Sequence, residues 1–268
     1  MPALDTIASY QGTAGSTLAA GTMATGDPSS IRNFPQPNVA RLMAAFYDDV
    51  TSPLTWRVRS PLLHDNVDGI QFDPGTAAPS ILLPRGMQQP LQAQDTLTFE
   101  FSTAASTGKA LGALSIYYSQ LPGVNARLYS PADIDPLIRN LKPVRVSIGS
   151  GANTAGQWLD TVLTTTENLL HANTDYAVLG LAFSQAIACV AIKGPDTGNL
   201  RAGCPGGTNN PQGPEYFIRL SEEAGLPLIP VINAANAPST FVSIVSSAAT
   251  AAAGYVTVFL GELSHNLS

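Results

Sequence analysis

Residues 239–263, STFVSIVSSAATAAAGYVTVFLGEL, decide how this chain is read. The stretch opens with a β-branched and aromatic run, passes through Ser, Ala, Thr and Gly, and closes with a second β-rich run. Its flanks alternate with period two: Phe241, Ser243 and Val245 against Val242 and Ile244, then Tyr255, Thr257 and Phe259 against Val256, Val258 and Leu260. That pattern is a β-hairpin. No charge lies between Glu223 and Glu262, so a transmembrane helix is the rival reading. The centre, 246–254, contains no Leu or Ile, and no basic cluster marks a cytoplasmic flank. The hairpin is preferred.

An echo lies at 95–121, DTLTFEFSTAASTGKALGALSIYYSQL. Thr96 lines up with Thr240, Ser102 with Ser246, and Ala104 and Ala105 with Ala248 and Ala249; after a two-residue gap Leu121 meets Leu263. Glu100 and Lys109 keep this copy out of a membrane. A pattern that recurs predicts that one β-unit occurs twice.

Outward from the hairpins, short strands are predicted at 54–59, 69–72, 80–83, 96–101 and 114–121, punctuated by Pro53, Pro61, Pro74, Pro79, Pro84, Gly86 and Pro90. Many short strands between Pro and Gly turns point to a sandwich or barrel. A strand is also expected near Met23 to Phe34. Residues 38–49, NVARLMAAFYDD, are predicted helical, because Val39, Leu42, Met43 and Phe46 fall at i, i+3, i+4 and i+7 behind a capping Asn38. The apolar stripe is read as core packing. Residues 122–143 read as a connector with a short helix near Pro131 to Ile138. Strands are then expected at 144–148, 176–183 and 187–192, with a helical candidate at 157–170. Residues 194–214 hold six Gly and four Pro and are predicted to be one long turn-rich loop.

Only 12% of the 268 residues are charged, with 44% hydrophobic and a net charge of −6. Such a chain is not disordered, and a subunit enclosed by neighbours needs less charge than a free monomer. The basic residues are scattered, with Arg57 and Arg59 a rare close pair. No basic stripe can neutralise a phosphate backbone, so direct sequence-specific nucleic-acid binding is not expected. Cys189 and Cys204 are too few for a disulfide scaffold or a zinc site. Cys189, inside AIACVAI, reads as a buried thiol, and pairing of the two stays open. The start, MPALDTIASYQG, has neither a basic nor an apolar leader region, so no secretory signal is expected.

The motif search argues against an enzyme. Gly198 and Gly203 have phosphate-loop spacing, but Cys204 and Pro205 stand where Lys and Ser or Thr are needed. IGSGA at 148–152 does not meet the nucleophile-elbow pattern. His64, His171 and His265 have no second His nearby for a metal. His64-Asp65-Asn66 reads as a turn rather than an acid–base pair. Arg57, Arg59, Asp65 and Asp68 are candidates for ion pairs, between subunits or within one. No catalytic, cofactor-binding or metal-ligating residue is assigned, and no cofactor is expected.

Two units of about 130 residues, each closed by a matched hairpin (96–101 with 114–121, 240–245 with 255–262), resemble the double jelly-roll major capsid proteins of tailless icosahedral viruses, with membrane-containing bacteriophages as the nearest group. The resemblance covers nearly the whole chain and lies in architecture, since no short motif supports it. It implies an all-β fold with a few short helices: an N-terminal arm at 1–22, a first jelly-roll barrel at 23–121, the connector at 122–143 and a second barrel at 144–268. It further implies homotrimers of pseudo-hexagonal outline that tile a virion shell, assembled in the host cytoplasm. Partners would be further copies of the chain, penton or minor capsid proteins, and an internal viral membrane. The alternative is a two-domain β-sandwich for binding or adhesion, such as a phage spike or carbohydrate-binding module.

Overall fold

The two strands of each predicted hairpin form, but they join opposite sheets rather than pairing with each other, and the two pairs occupy the same place in two copies of one topology. The computed structural model describes all residues except 50–53, 64–66, 73–79, 83–89, 104–107, 164–169, 186, 207–212 and 268. The first half contributes β1 (Ala3–Ala14), β2 (Ala19–Ala20), β3 (Thr22–Met23), β4 (Ala40–Asp49), β5 (Leu54–Arg59), β6 (Ile70–Phe72), β7 (Ser80–Leu82), β8 (Pro90–Leu91), β9 (Thr98–Thr103) and β10 (Gly108–Tyr118). Next come β11 (Leu128–Tyr129) and the short helix α1 (Pro131–Ile134). The second half contributes β12 (Ile138–Ile148), β13 (Leu159–Val162), β14 (Asp175–Phe183), β15 (Cys189–Lys193), β16 (Ala202–Pro205), helix α2 (Tyr216–Ala224), β17 (Ile229–Asn233), β18 (Phe241–Val245) and β19 (Gly254–Leu263).

Strand order makes the repeat explicit. One sheet of the first half runs β1-β10-β4-β7 and its partner runs β2-β9-β5-β6. The second half repeats both orders as β12-β19-β14-β17 and β13-β18-β15-β16. Eight strands per unit in two four-stranded sheets, with first strand pairing last and second pairing seventh, are a jelly roll. The flanking strands β3, β8 and β11 lie outside this scheme.

A shared irregularity aligns the two units residue by residue. In β4, Met43 is an extra residue between the pairs Ala44↔Ser115 and Leu42↔Ile116. In β14, Leu179 is the extra residue between Gly180↔Phe259 and Val178↔Leu260. A β-bulge at one position in both copies sets the register. It makes Ile116 equivalent to Leu260; β9 and β18 do not share that spacing, since Phe99 packs inside the first barrel on Trp56 while Ser243 faces outward to Asp160. The gap invoked to match Leu121 with Leu263 is therefore wrong; Glu262 is the counterpart of Tyr118.

Each barrel has its own interior. In the first, Trp56 stacks on Phe72 at 4.4 Å between ring centroids and lies near-parallel to Phe99 and Phe101. Gly112 makes room for it, since a Cβ there would approach the indole to 2.8 Å. The second barrel is filled by aliphatic residues such as Val146, Ile148, Val256, Val258 and Leu260, all buried.

Several expectations are overturned. Residues 40–49 are strand β4, not a helix. Its inner face (Leu42, Ala45, Tyr47) fills the barrel and its outer face (Ala44, Phe46) is buried as well. A strand covered on both faces reads as a continuous apolar run, and its accidental i, i+3, i+4 matches mimic a helix. The helix expected at 157–170 is strand β13 over its described part, and 164–169 lie outside the described residues. Residues 1–22 are not an arm, because β1 pairs with β10 from Ala3↔Tyr118 onwards and is a central strand of the first barrel. This strand is buried on both faces from Ala3 to Ser9. The boundary at 143/144 falls inside β12, where Pro143 is tolerated because β12 is a sheet edge. Residues 23–34 hold only the end of β3 and one isolated bridge, Ser30↔Thr96. The segment 194–214 contains strand β16, a strand of small residues that carries no hydrophobic signal.

Candidate functional site

The feature that bears on function is the seam where the two barrels meet. The outer face of the β1-β10-β4 sheet carries Leu4, Thr6 and Ala8 on β1, Leu111, Ala113 and Ser115 on β10, and Ala44 and Phe46 on β4. All of these are buried. What covers them comes from the second barrel. The Gly203 N–H of β16 donates to Thr6 Oγ1 at 3.0 Å. A Cβ on Gly203 would stand 2.8 Å from Thr6 Cγ2, so glycine is what allows β16 to seat on β1. Gly156, at φ +69°, fits against the Tyr10 ring in the same way. Tyr216, at the start of α2, meets Phe46 edge-on at 6.0 Å.

A polar cluster pins one end of the seam. Asp27 of the first barrel has a side chain only 3% exposed. Its Oδ2 accepts from Trp158 Nε1 at 2.8 Å and from the Ala8 N–H at 2.7 Å. Its Oδ1 accepts from Arg201 at 3.3 Å. The Arg201 guanidinium in turn lies over the Trp158 ring at 4.7 Å, a cation–π contact. Burial pushes the Asp27 carboxyl up to about 6, against the pull of the Trp158 and Ala8 hydrogen bonds and the Arg201 charge. Arg201 also reaches Asp160, which Ser243 and Lys193 approach as well. Burial opposes ionisation of Asp160, but the Ser243 hydrogen bond and the two cations outweigh it and hold its pKa low.

A second cluster ties the segment after the first barrel to the second. Asp175, fully buried, takes a bidentate grip from Arg127, which precedes β11. Asn233 and the Leu267 N–H complete its shell at 2.7 and 2.8 Å. Burial opposes its charge, yet these bonds prevail and hold the Asp175 pKa low.

The sequence-derived candidates are dispersed. Arg57 and Arg59, on neighbouring same-face positions of β5, converge on Glu100 of β9 within the chain. His64, Asp65 and Asn66 lie outside the described residues. His171 contacts Glu262 at 3.0 Å beside Lys142, while His265 meets only its neighbour Ser264 among the contacts described. Cys189 and Cys204 are free, buried thiols on the paired strands β15 and β16. Burial raises both pKa values, which makes them poor nucleophiles. The residues that build the seam, Asp27, Trp158, Arg201 and Gly203, carry no pattern that sequence reasoning could have joined; Trp158, one of two tryptophans, was the sole compositional signal.

No family model matches the chain, and no curated protein sequence matches it. Among solved structures, the chain is similar to the major capsid protein P2 from bacteriophage PM2, at 11% identity over 99% of each chain with a TM-score of 0.26. It is also similar to the STIV MCP, at 10% identity over 98% of this chain and 97% of that one, with a TM-score of 0.23. At such scores the superpositions carry no weight of their own; strand order and the shared bulge carry the fold.

Proposed function

We propose that the chain is a structural protein, a major capsid protein whose copies associate as pseudo-hexameric homotrimers and tile an icosahedral virion shell. The observation that carries this reading is the tandem repeat of one jelly roll, joined through a buried seam. The repeat gives one chain two near-equivalent wedges. Three copies would then supply six wedges, a shape suited to close tiling. Low charge supports it, because few ions need be stripped of water when flanks are buried. We place the division between barrels near residues 122–127, since β10 ends at Tyr118 and β11 already pairs with β17 of the second barrel. In this reading the protein is not an enzyme, and its partners are its own copies, penton or minor capsid proteins and an internal membrane.

The test is sedimentation and negative-stain microscopy of the purified protein. Trimers of hexagonal outline, or shells, are expected at micromolar concentration. A monodisperse monomer at high concentration would overturn the proposal and favour a two-domain binding module.

A further inference from the structure

The turn at 213–215 and helix α2 leave a slot on the outer face of the second barrel. A Cβ on Gly180 of β14 would meet the Gly213 carbonyl oxygen at 1.8 Å, so the turn is seated directly on β14. Beyond it the sheet is open: Phe259 on β19 is partly exposed and Leu141 on β12 is 69% exposed. Ile138 closes over Gly261, where a Cβ would stand 3.1 Å from Ile138 Cδ1. Between these contacts lies an apolar cavity of about 300 Å³ lined by Ile138, Leu141, Pro143, Pro214, Ile218 and Phe259.

A second cleft, of about 480 Å³, adjoins the slot and shares Glu215 and Ile218 with it. Its charged lining is Asp135, Glu215, Glu222, Glu223 and Arg219, four carboxylates against one guanidinium. Arg219 approaches Glu215 at 3.4 Å with both side chains about half exposed or more, a surface pair of little strength. Lys142 also borders the slot, but its amine is drawn to Glu262 at 3.1 Å, with His171 beside it. The field where slot and cleft join is therefore negative. An acidic helix face alone is a solvated surface, and an exposed Leu alone is ordinary. Their meeting across Ile218 joins an apolar cavity to a few charged groups, the composition of a small-molecule site, and the slot has the volume of the smallest such sites, about 300 Å³.

We propose that the joined cavities bind a small amphipathic cation, with its apolar body in the slot beside Phe259 and its ammonium group in the acidic cleft. The apolar body takes Leu141 and Phe259 surface out of water. The ammonium group makes charge-assisted hydrogen bonds to the carboxylates. A neutral molecule of the same skeleton keeps only the apolar part, and an anion is repelled. This inference goes beyond the capsid reading and does not depend on it.

Isothermal titration calorimetry of the full chain at neutral pH tests it with three compounds of one skeleton: 4-phenylbutylammonium, 4-phenylbutanol and 4-phenylbutyrate. Saturable binding of the amine at one site is expected, with the alcohol at least about 10-fold weaker and the acid weaker still. Glu222→Gln/Glu223→Gln should narrow the gap between amine and alcohol at least about threefold and leave the alcohol unchanged. Leu141→Ser should weaken amine and alcohol alike. All three side chains are exposed, so circular dichroism of the variants should match wild type. Absence of saturable binding, an acid that binds as well as the amine, or an amine affinity indifferent to both variants overturns the proposal. Binding that disappears as the protein associates assigns the slot to a second copy and overturns it as well. If a variant fails to fold, the three compounds on wild type decide.

Discussion

Asp175→Asn isolates the cluster that fastens the inter-barrel segment to the second barrel. Two of the four hydrogen bonds to the carboxylate end on Oδ1, from Arg127 and Asn233, and two on Oδ2, from Arg127 and the Leu267 N–H. An amide retaining its oxygen at the Oδ1 position loses the Oδ2 pair and turns an NH2 toward the guanidinium. Bonds involving a charged group contribute about 1.5 kcal/mol each at the low end, so the loss is about 3 kcal/mol. That sits at the lower edge of what breaking a buried ion pair costs, as suits an Arg127 that is one-fifth exposed. For a cooperative unit of about 140 residues the unfolding entropy near the midpoint is about 0.3 kcal/mol/K, which converts the loss to a midpoint drop of about 10 °C. Differential scanning calorimetry at neutral pH reads this directly. The sign of the pH dependence is fixed as well. The folded Asp175 pKa is depressed, so its contribution is present above the unfolded carboxylate value and is lost as pH falls through the folded one. The gap between wild type and variant should therefore close in acid. A drop under about 3 °C, or a gap unchanged by acid, would refute the account.

Asp27 should behave oppositely. Its folded pKa is raised to about 6, so the folded state binds more protons than the unfolded state between about pH 4 and 6, and this site weakens stability as pH rises through that window. Wild type should lose more stability than Asp27→Asn between pH 4.5 and 7, by up to about 2 kcal/mol on the scale of about 1.4 kcal/mol per unit of pKa; parallel urea-unfolding profiles for the two proteins would count against it. Gly203→Ala places a methyl against Thr6 and should destabilise the seam by about 1–3 kcal/mol. Combining it with Thr6→Gly should cost less than the sum of the single changes, and strict additivity in the double-mutant cycle would show that the two residues do not press on each other.

What the sequence settled by itself was local and repeated. Period-two alternation at 241–245 and 255–260, with a small-residue middle, committed 239–263 to two strands and a turn, and the echo at 95–121 placed a second such pair at the matching position in the chain; that the strands of each pair join opposite sheets instead of forming a hairpin was decided by the tertiary structure. Solvent on one side of a strand leaves that signature in its composition. Strands shielded on both sides lose it, so β4 read as a helix and β16 as a loop. Strand β1 read as an arm for the same reason, being buried on both faces from Ala3 to Ser9. The bulges at Met43 and Leu179 were invisible for the same reason, as each is one more apolar residue in an apolar run. Only the tertiary structure could bring Asp27, Trp158 and Arg201 together, since the contacts span from 131 to 174 residues of chain. Nor could local preference decide that equivalent faces of two like barrels would have unlike fates. The face bearing Leu4 is buried because the second barrel sits on it, and the face bearing Leu141, its equivalent by register, is open among the described residues.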